Sequence, residues 1–293
     1  MFEGLYPALI TPFTADGAVA SDQLRKLVVD LMGKGIDGLV PLGTTGEVPT
    51  LSEQERDTVI AACVEAAAGR VPVIAGTGTN DTSASIQRTK RAAELGAAGA
   101  LVICPYYNRP SQEGLYRHFL SIAEASPIPL VLYNIPGRTS VNLLPETLER
   151  LCAHEQIVAI KEASGNLDQI SEIAARCRDR ITILAGDDTL ILPTLACGGK
   201  GAISAAANVI PADLKTLMKL FFAGRVGEAM QLNLRIRPLL KALFIEVNPV
   251  AVKEALVQMG YNVGSVRLPL APLSEANRRI LIEEMGRYGL LHN

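Results

Sequence analysis

The chain has 293 residues, 48% of them hydrophobic and 20% charged, with 28 basic residues set against 30 acidic ones. That is too apolar for a disordered chain. With neither sign gathered into a run, it excludes the electrostatic footprint of a partner such as nucleic acid or an anionic membrane, so the expected ligand is small.

Five cysteines stand far apart without C-x-x-C spacing, which suggests neither a disulfide framework nor a zinc site and fits a reduced, cytoplasmic setting. The start Met1-Phe2-Glu3-Gly4 carries no basic leader, and no apolar run approaches the ~18–20 residues that span a bilayer.

Short β-rich runs recur at 5–11, 38–42, 72–75, 100–104, 130–133, 158–161, 181–185 and 202–204, each followed by an amphipathic helical stretch. Most are continuously apolar, as parallel strands buried on both faces are. Helix starts are legible in the Ser52/Glu55 capping box, in Asp81, and in Pro145 and Pro211 at first-turn positions; stops are legible in Gly35, Gly69 and Gly96. Eight βα units at a spacing of roughly 20–35 residues predict an α/β fold, a (β/α)8 TIM barrel over residues 1–224, in preference to an open doubly wound sheet. From residue 225 to 293 the strand signal stops, and three helical segments, 226–243, 248–259 and 274–288, form an extension of the same domain. In the middle one Asn248 is the expected cap, with Pro249 in the first turn and Val252, Ala255, Leu256 and Met259 on one face.

Barrel active sites lie at the carboxyl ends of the strands. There the sequence places Thr11-Pro12, Gly43-Thr44-Thr45-Gly46-Glu47, Gly76-Thr77-Gly78, Tyr106-Tyr107, Tyr133-Asn134, Lys161-Glu162, Gly186-Asp187 and Ser204. Lys161 ends an apolar run, where desolvation disfavours its charge and a neutral amine would attack a ketone to form an imine. A snorkelling lysine, or one paired with Glu162, is the ordinary alternative. Tyr133, on the adjacent strand, can give and take a proton, and Thr44 can pass one between hydroxyls. The Thr44-Thr45 loop suits a carboxylate but lacks the endings of nucleotide loops. Arg138, after a Pro-Gly turn, could grip a second carboxylate in bidentate fashion. His118, His154 and His292 are scattered, and Asp187-Asp188 is too weak a signal for a cation, so neither a metal nor a cofactor is expected.

The motifs Thr11-Pro12-Phe13, Gly43-Thr44-Thr45-Gly46-Glu47, Pro105-Tyr106-Tyr107-Asn108, Tyr133-Asn134-Ile135-Pro136-Gly137-Arg138-Thr139, Ile160-Lys161-Glu162, Ala185-Gly186-Asp187 and Asn248-Pro249 occur together in this order over nearly the whole chain. In them the chain resembles the 4-hydroxy-tetrahydrodipicolinate synthases of the pyruvate-dependent Schiff-base lyase superfamily. The resemblance implies that Lys161 condenses with pyruvate while Thr45, the Ile203 backbone and Gly186 bind substrate. The enamine then attacks aspartate semialdehyde, gripped by Arg138. It further implies a proton relay of Thr44, Tyr107 and Tyr133, with Tyr107 supplied by a neighbouring subunit, and a homotetramer built as a pair of dimers. Catabolic sugar-acid or sialic-acid aldolases of the same superfamily are the alternative, and a non-catalytic 2-oxo acid binder is a third. Where lysine-inhibited relatives carry polar residues, histidines and an acid, this chain has Val48, Pro49, Glu53, Arg56 and Ala84, so weak or absent lysine feedback is expected.

Overall fold

A computed structural model describes residues 1–177 and 179–291; His292 lies outside the described residues. Seven parallel strands, β1 (Gly4–Pro7), β2 (Ile74–Gly76), β3 (Gly99–Ile103), β4 (Leu130–Asn134), β5 (Ile157–Glu162), β6 (Thr182–Ala185) and β7 (Gly201–Ser204), form one curled sheet in the order β1-β7-β6-β5-β4-β3-β2. The helices among the described residues are α1 (Ser21–Gly33), α2 (Glu53–Ala67), α3 (Thr82–Glu94), α4 (Gln112–Ala125), α5 (Pro136–Thr139), α6 (Pro145–Leu151), α7 (Leu167–Cys177), α8 (Ile191–Ala196), α9 (Pro211–Phe222), α10 (Val226–Leu243), α11 (Val250–Gln258) and α12 (Glu275–Tyr288).

The expected strand at 38–42 takes a reduced form, and it closes the ring. On one side Leu9 N donates to Val40 O and Val40 N to Pro7 O, each at 2.9 Å. On the other, Leu39 N donates to Pro72 O at 2.9 Å and Ile74 N to Leu39 O at 2.8 Å. The segment therefore bridges both sheet edges, β1 and β2, through Ala8↔Val40 and Leu39↔Val73. Its ladder stays short because Pro41 has no N–H to donate and Leu42 turns to φ 60°. β1 itself ends at Pro7, but the predicted run 5–11 goes on pairing beyond it: Ala8 N donates to Ser204 O at 2.8 Å before the chain turns to the 38–42 segment. Gly76 exists for this junction, since a Cβ there would lie 2.0 Å from the Leu42 carbonyl oxygen. Gly78 similarly lies where a Cβ would meet Ile103 N at 2.4 Å, so the Gly76-Thr77-Gly78 motif is accounted for by close backbone approach.

Strand alternation sorts the side chains into an inner and an outer set. Tyr6, Val40, Ile74, Leu101, Val131, Tyr133, Ala159, Leu184 and Ile203 form a cluster inside the ring, while Leu130, Leu132, Ile160 and Ile183 pack outward beneath the helices. Lys161, two residues beyond Ala159, shares the inner face.

Local chemistry starts the helices as expected. The Ser52 hydroxyl accepts from Glu55 N at 3.2 Å while Ser52 N donates to Glu55 Oε2 at 2.9 Å, and Asp81 caps α3 through Ala84 N at 3.1 Å. Gly35, Gly69 and Gly96 have φ of 82°, 71° and 89°, the left-handed backbone that ends a helix. Asn248 does not cap α11: Pro249 holds that position and the Asn248 side chain turns instead to Thr45.

The C-terminal helices share a core with the barrel, one apolar cluster running from Leu5 through Leu240 and Leu256 to Met285. Their polar tie is buried. Lys253 Nζ donates to Glu47 Oε1 and to the Ser265 carbonyl, both at 2.8 Å, and sits 4.1 Å from the Phe13 ring centroid. The second Glu47 oxygen accepts Arg267 N at 2.8 Å. Removing one member of a buried pair strands the other's charge, at a cost of about 3–5 kcal/mol. Lys253→Met is thus expected to lower the free energy of unfolding by that order, and Lys253→Met with Glu47→Gln to recover part of it. A double mutant no more stable than the single one, in urea melts, would contradict the coupling.

Candidate active site

At the carboxyl ends of the strands opens a cavity of about 420 Å³. Thr44, Thr45, Tyr133, Arg138, Lys161 and Gly186 line it, so six of the eight residues singled out from the sequence meet in one place. The strand register explains the central pair: Tyr133 on β4 is the direct partner of Lys161 on β5, and both face inward. Lys161 is 6% exposed, and its Nζ lies 4.3 Å from the Tyr133 ring centroid. Gly186 leaves room for it, because a Cβ there would press on Lys161 Cγ at 3.0 Å and on Ala163 Cβ at 2.7 Å.

The ordinary alternative for Lys161, a pair with Glu162, is not made. Glu162 points to the opposite face of β5, where Ser164 N (2.6 Å), Asn134 Nδ2 (3.0 Å) and Gln169 Nε2 (3.3 Å) donate to it. Burial raises its pKa above the usual carboxylate range, against the pull of those donors. Lys161 has no ion-pair partner among the described residues, so its amine is free toward the cavity.

The Thr44-Thr45 loop is a single 3₁₀ turn, Thr44–Gly46. Thr44 and Thr45 both line the cavity, and Thr45 Oγ1 accepts a hydrogen bond from Asn248 Nδ2 at 2.9 Å. Thr11 Oγ1 donates to the Gly46 carbonyl at 2.7 Å, and Glu47, at φ 54°, sends its side chain down to Lys253. The loop is therefore pinned by the segment that follows β1 and by the extension. Arg138, in the one-turn helix α5, is exposed at the rim and its side chain makes no hydrogen bond or ion pair among the described residues.

Two expected residues lie elsewhere. Ile203 is buried inside the ring, one strand position before Ser204, and its side chain does not reach the cavity wall. Tyr107 is 90% exposed, held at φ 71°, and does not line the cavity of its own chain.

Other residues belong to the wall that the sequence reading gave no role there. Leu240, Lys241 and Phe244 come from α10 and its end, and no local signal could have placed them. Asn248 was legible as a motif but was expected to cap. Asp188, suspected only of cation binding, is 3% exposed; its Oδ2 accepts Ala205 N at 3.2 Å and Ala206 N at 3.1 Å, while Oδ1 has no partner among the described residues. Burial pushes its pKa up from 3.8 to about 6, with Ser204, the backbone donors and the Lys161 charge opposing. A carboxyl raised on folding binds its proton more tightly in the native state, so its contribution is complete below 3.8 and is lost as pH rises to about 6. Asp188→Asn should remove up to roughly 3 kcal/mol of that fall. Calorimetric melts at pH 4 and pH 7 test this; a variant whose pH profile parallels the parent's would refute it.

A model described as the dihydrodipicolinate synthetase family matches residues 1–285. A 4-hydroxy-tetrahydrodipicolinate synthase of Geotalea daltonii is 51% identical over 291 residues, covering 99% of this chain and 100% of the relative. Among solved structures, a dihydrodipicolinate synthase from Aquifex aeolicus has a TM-score of 0.97 at 44% identity, covering 100% of both chains. The enzyme from Cyanidioschyzon merolae, solved with lysine bound, has a TM-score of 0.96 at 39% identity, covering 99% of each chain.

Proposed function

Since the chain belongs to the dihydrodipicolinate synthetase family, we infer that it is a Schiff-base lyase condensing pyruvate with aspartate semialdehyde to give 4-hydroxy-tetrahydrodipicolinate, in the diaminopimelate route to lysine. The observation that carries the reading is an inward-facing, buried, unpaired Lys161 on the floor of a cavity with a free arginine at its rim.

In this reading the Lys161 amine adds to the pyruvate carbonyl carbon and the carbinolamine loses water to leave an imine. Thr45 and the backbone at Ile203 hold the pyruvate carboxylate, and Gly186 keeps the space above Lys161 clear for the ketone. Loss of a methyl proton gives the enamine, whose carbon attacks the aldehyde of the second substrate. That substrate's amine then adds to the imine carbon, and Lys161 departs as the free amine. Tyr133 and Thr44, both in the cavity wall, exchange the protons of these steps, and Arg138 grips the carboxylate of the aldehyde substrate. Asn248 serves by fixing the Thr45 hydroxyl as an acceptor, which leaves the Thr45 proton free to donate to a bound acid.

Tyr107 completes the relay in a neighbouring subunit. A tyrosine almost wholly exposed, presented by a left-handed residue, supports this because it has no packing role in its own chain. The working assembly is then a dimer at least, and a cytoplasmic tetramer in its full form.

Borohydride reduction in the presence of pyruvate is expected to leave a pyruvyl adduct on Lys161, located by peptide mass spectrometry, and Lys161→Ala to abolish both adduct and turnover. An unmodified Lys161 in active, quenched enzyme would defeat the mechanism. Arg138→Ala is expected to raise the KM for aspartate semialdehyde roughly 10- to 100-fold, the loss of a charge-assisted pair, with the pyruvate KM little changed. Equal activity toward sugar-derived aldehydes in that variant and its parent would favour an aldolase instead. For the shared relay, Lys161→Ala and Tyr107→Phe subunits, each impaired alone, should regain activity when unfolded and refolded together. Mixtures no more active than their components would place Tyr107 outside the site.

A further inference from the structure

Two buried carboxyls flank the lysine proposed to form the imine, and their surroundings treat them differently. Glu162, outside the ring, accepts from Ser164 N, Asn134 Nδ2 and Gln169 Nε2. Asp188 stands in the cavity wall with Lys161. It opens the 3₁₀ turn Asp188–Leu190, two residues past Gly186, and Gly186 N donates to the Glu162 carbonyl at 2.7 Å, which ties this turn to the strand that carries Lys161. Its Oδ2 spans the Ala205 and Ala206 N–H groups at the end of β7, whereas Oδ1 is sealed from solvent with no hydrogen-bond partner among the described residues.

A clamp on the end of β7 uses one oxygen and needs no charge, since an amide oxygen would make it as well. A carboxylate with a bare oxygen is costly in a dry place, and burial holds the Asp188 pKa up at about 6. Ser204, the backbone donors and the Lys161 charge pull it back down. Asp188 and Lys161 do not meet as an ion pair among the described residues, so the amine stays free to attack. The other charged or titratable groups of the cavity are Asp187 in the same turn, Tyr133 on β4, Arg138 on α5 and Lys241 on α10.

We propose that Asp188 is a positioning residue for the imine: set back from Lys161, its buried carboxylate is the counter-charge of the cation that forms on the Lys161 nitrogen. The proposal rests on the Schiff-base reading above. As hydroxide leaves the carbinolamine, taking a proton from Tyr133 to become water, the nitrogen lone pair becomes the second bond of C=N and the nitrogen turns positive. A fixed carboxylate nearby stabilises that state over the neutral amine. The counter-charge is present above a pH of about 6 and is lost below it, as the carboxyl takes up its proton.

The test titrates pyruvate calorimetrically into the full chain, Asp188→Asn, Asp188→Glu and Lys161→Ala at pH 5 and pH 8.5, with borohydride quenching to count the adduct. Asp188→Asn keeps an oxygen for the two N–H groups and removes the charge. It is expected to bind pyruvate about tenfold more weakly than the parent at pH 8.5, the effect of one pKa unit of charge pairing. At pH 5, where the parent's own carboxyl is protonated, the gap should shrink to within about twofold. Asp188→Glu should keep most of the affinity, and Asp188→Asn added to Lys161→Ala, which forms no imine, should change nothing further. An Asn variant equal to the parent at pH 8.5, a gap as wide at pH 5, or an equal loss in the Lys161→Ala background would each overturn the proposal; the last two are what a purely structural clamp gives. If Asp188→Asn does not fold by its melt, Asp188→Ser takes its place. A parent that traps no pyruvyl adduct would defeat the Schiff-base reading itself, whereas equal affinities with adduct present defeat the counter-charge alone.

Discussion

The geometry of the site depends on a buried ion pair that does not itself line the cavity. Glu47 ends the Thr44-Thr45 turn in a left-handed conformation, and its carboxylate is neutralised by Lys253 at 2.8 Å in a place where neither group meets water. An isolated charge there would be very costly, so each residue fixes the other's position. Through it, the C-terminal helices hold the loop that carries two of the proposed functional hydroxyls. Asn248 adds a second tie, to Thr45 directly. The extension is thus part of the site's construction, and α10 also closes one side of the cavity.

The barrel supplies the other half of the design. Parallel strands alternate their side chains, so a single parity sends Val131, Tyr133, Ala159 and Lys161 inward and leaves Glu162 outside, satisfied by Asn134, Ser164 and Gln169. A lysine and a glutamate adjacent in sequence are kept apart by the pleat. The free amine follows from strand geometry, and Gly186 preserves the space it occupies.

Much of this was legible beforehand. Eight β-rich runs gave the ring, and caps such as Ser52 with Glu55 and Asp81 worked as chemistry requires. Strand ends gathered Lys161, Tyr133, Thr44, Thr45, Arg138 and Gly186 around one cavity. The misreadings had local causes. The run at 38–42 looked like a full strand, but Pro41 withholds a donor and the ring closes on isolated bridges. Asn248 looked like a cap because asparagine before a helix usually is one; Pro249 takes the cap position instead, and the Asn248 amide donates across the fold to the Thr45 hydroxyl.

By itself the sequence determined what short-range rules govern: which segments are strands or helices, where they begin and end, and which residues stand at the strand tips. Tertiary structure alone decided the pairings that span the chain, such as Asn248 with Thr45 and Lys253 with Glu47, 203 and 206 residues apart. It also decided that Asp188 is buried in the same cavity wall as Lys161. The reason is physical: propensity and periodicity act over a few residues, whereas burial of a charge selects its partner only after the whole fold has excluded water around it.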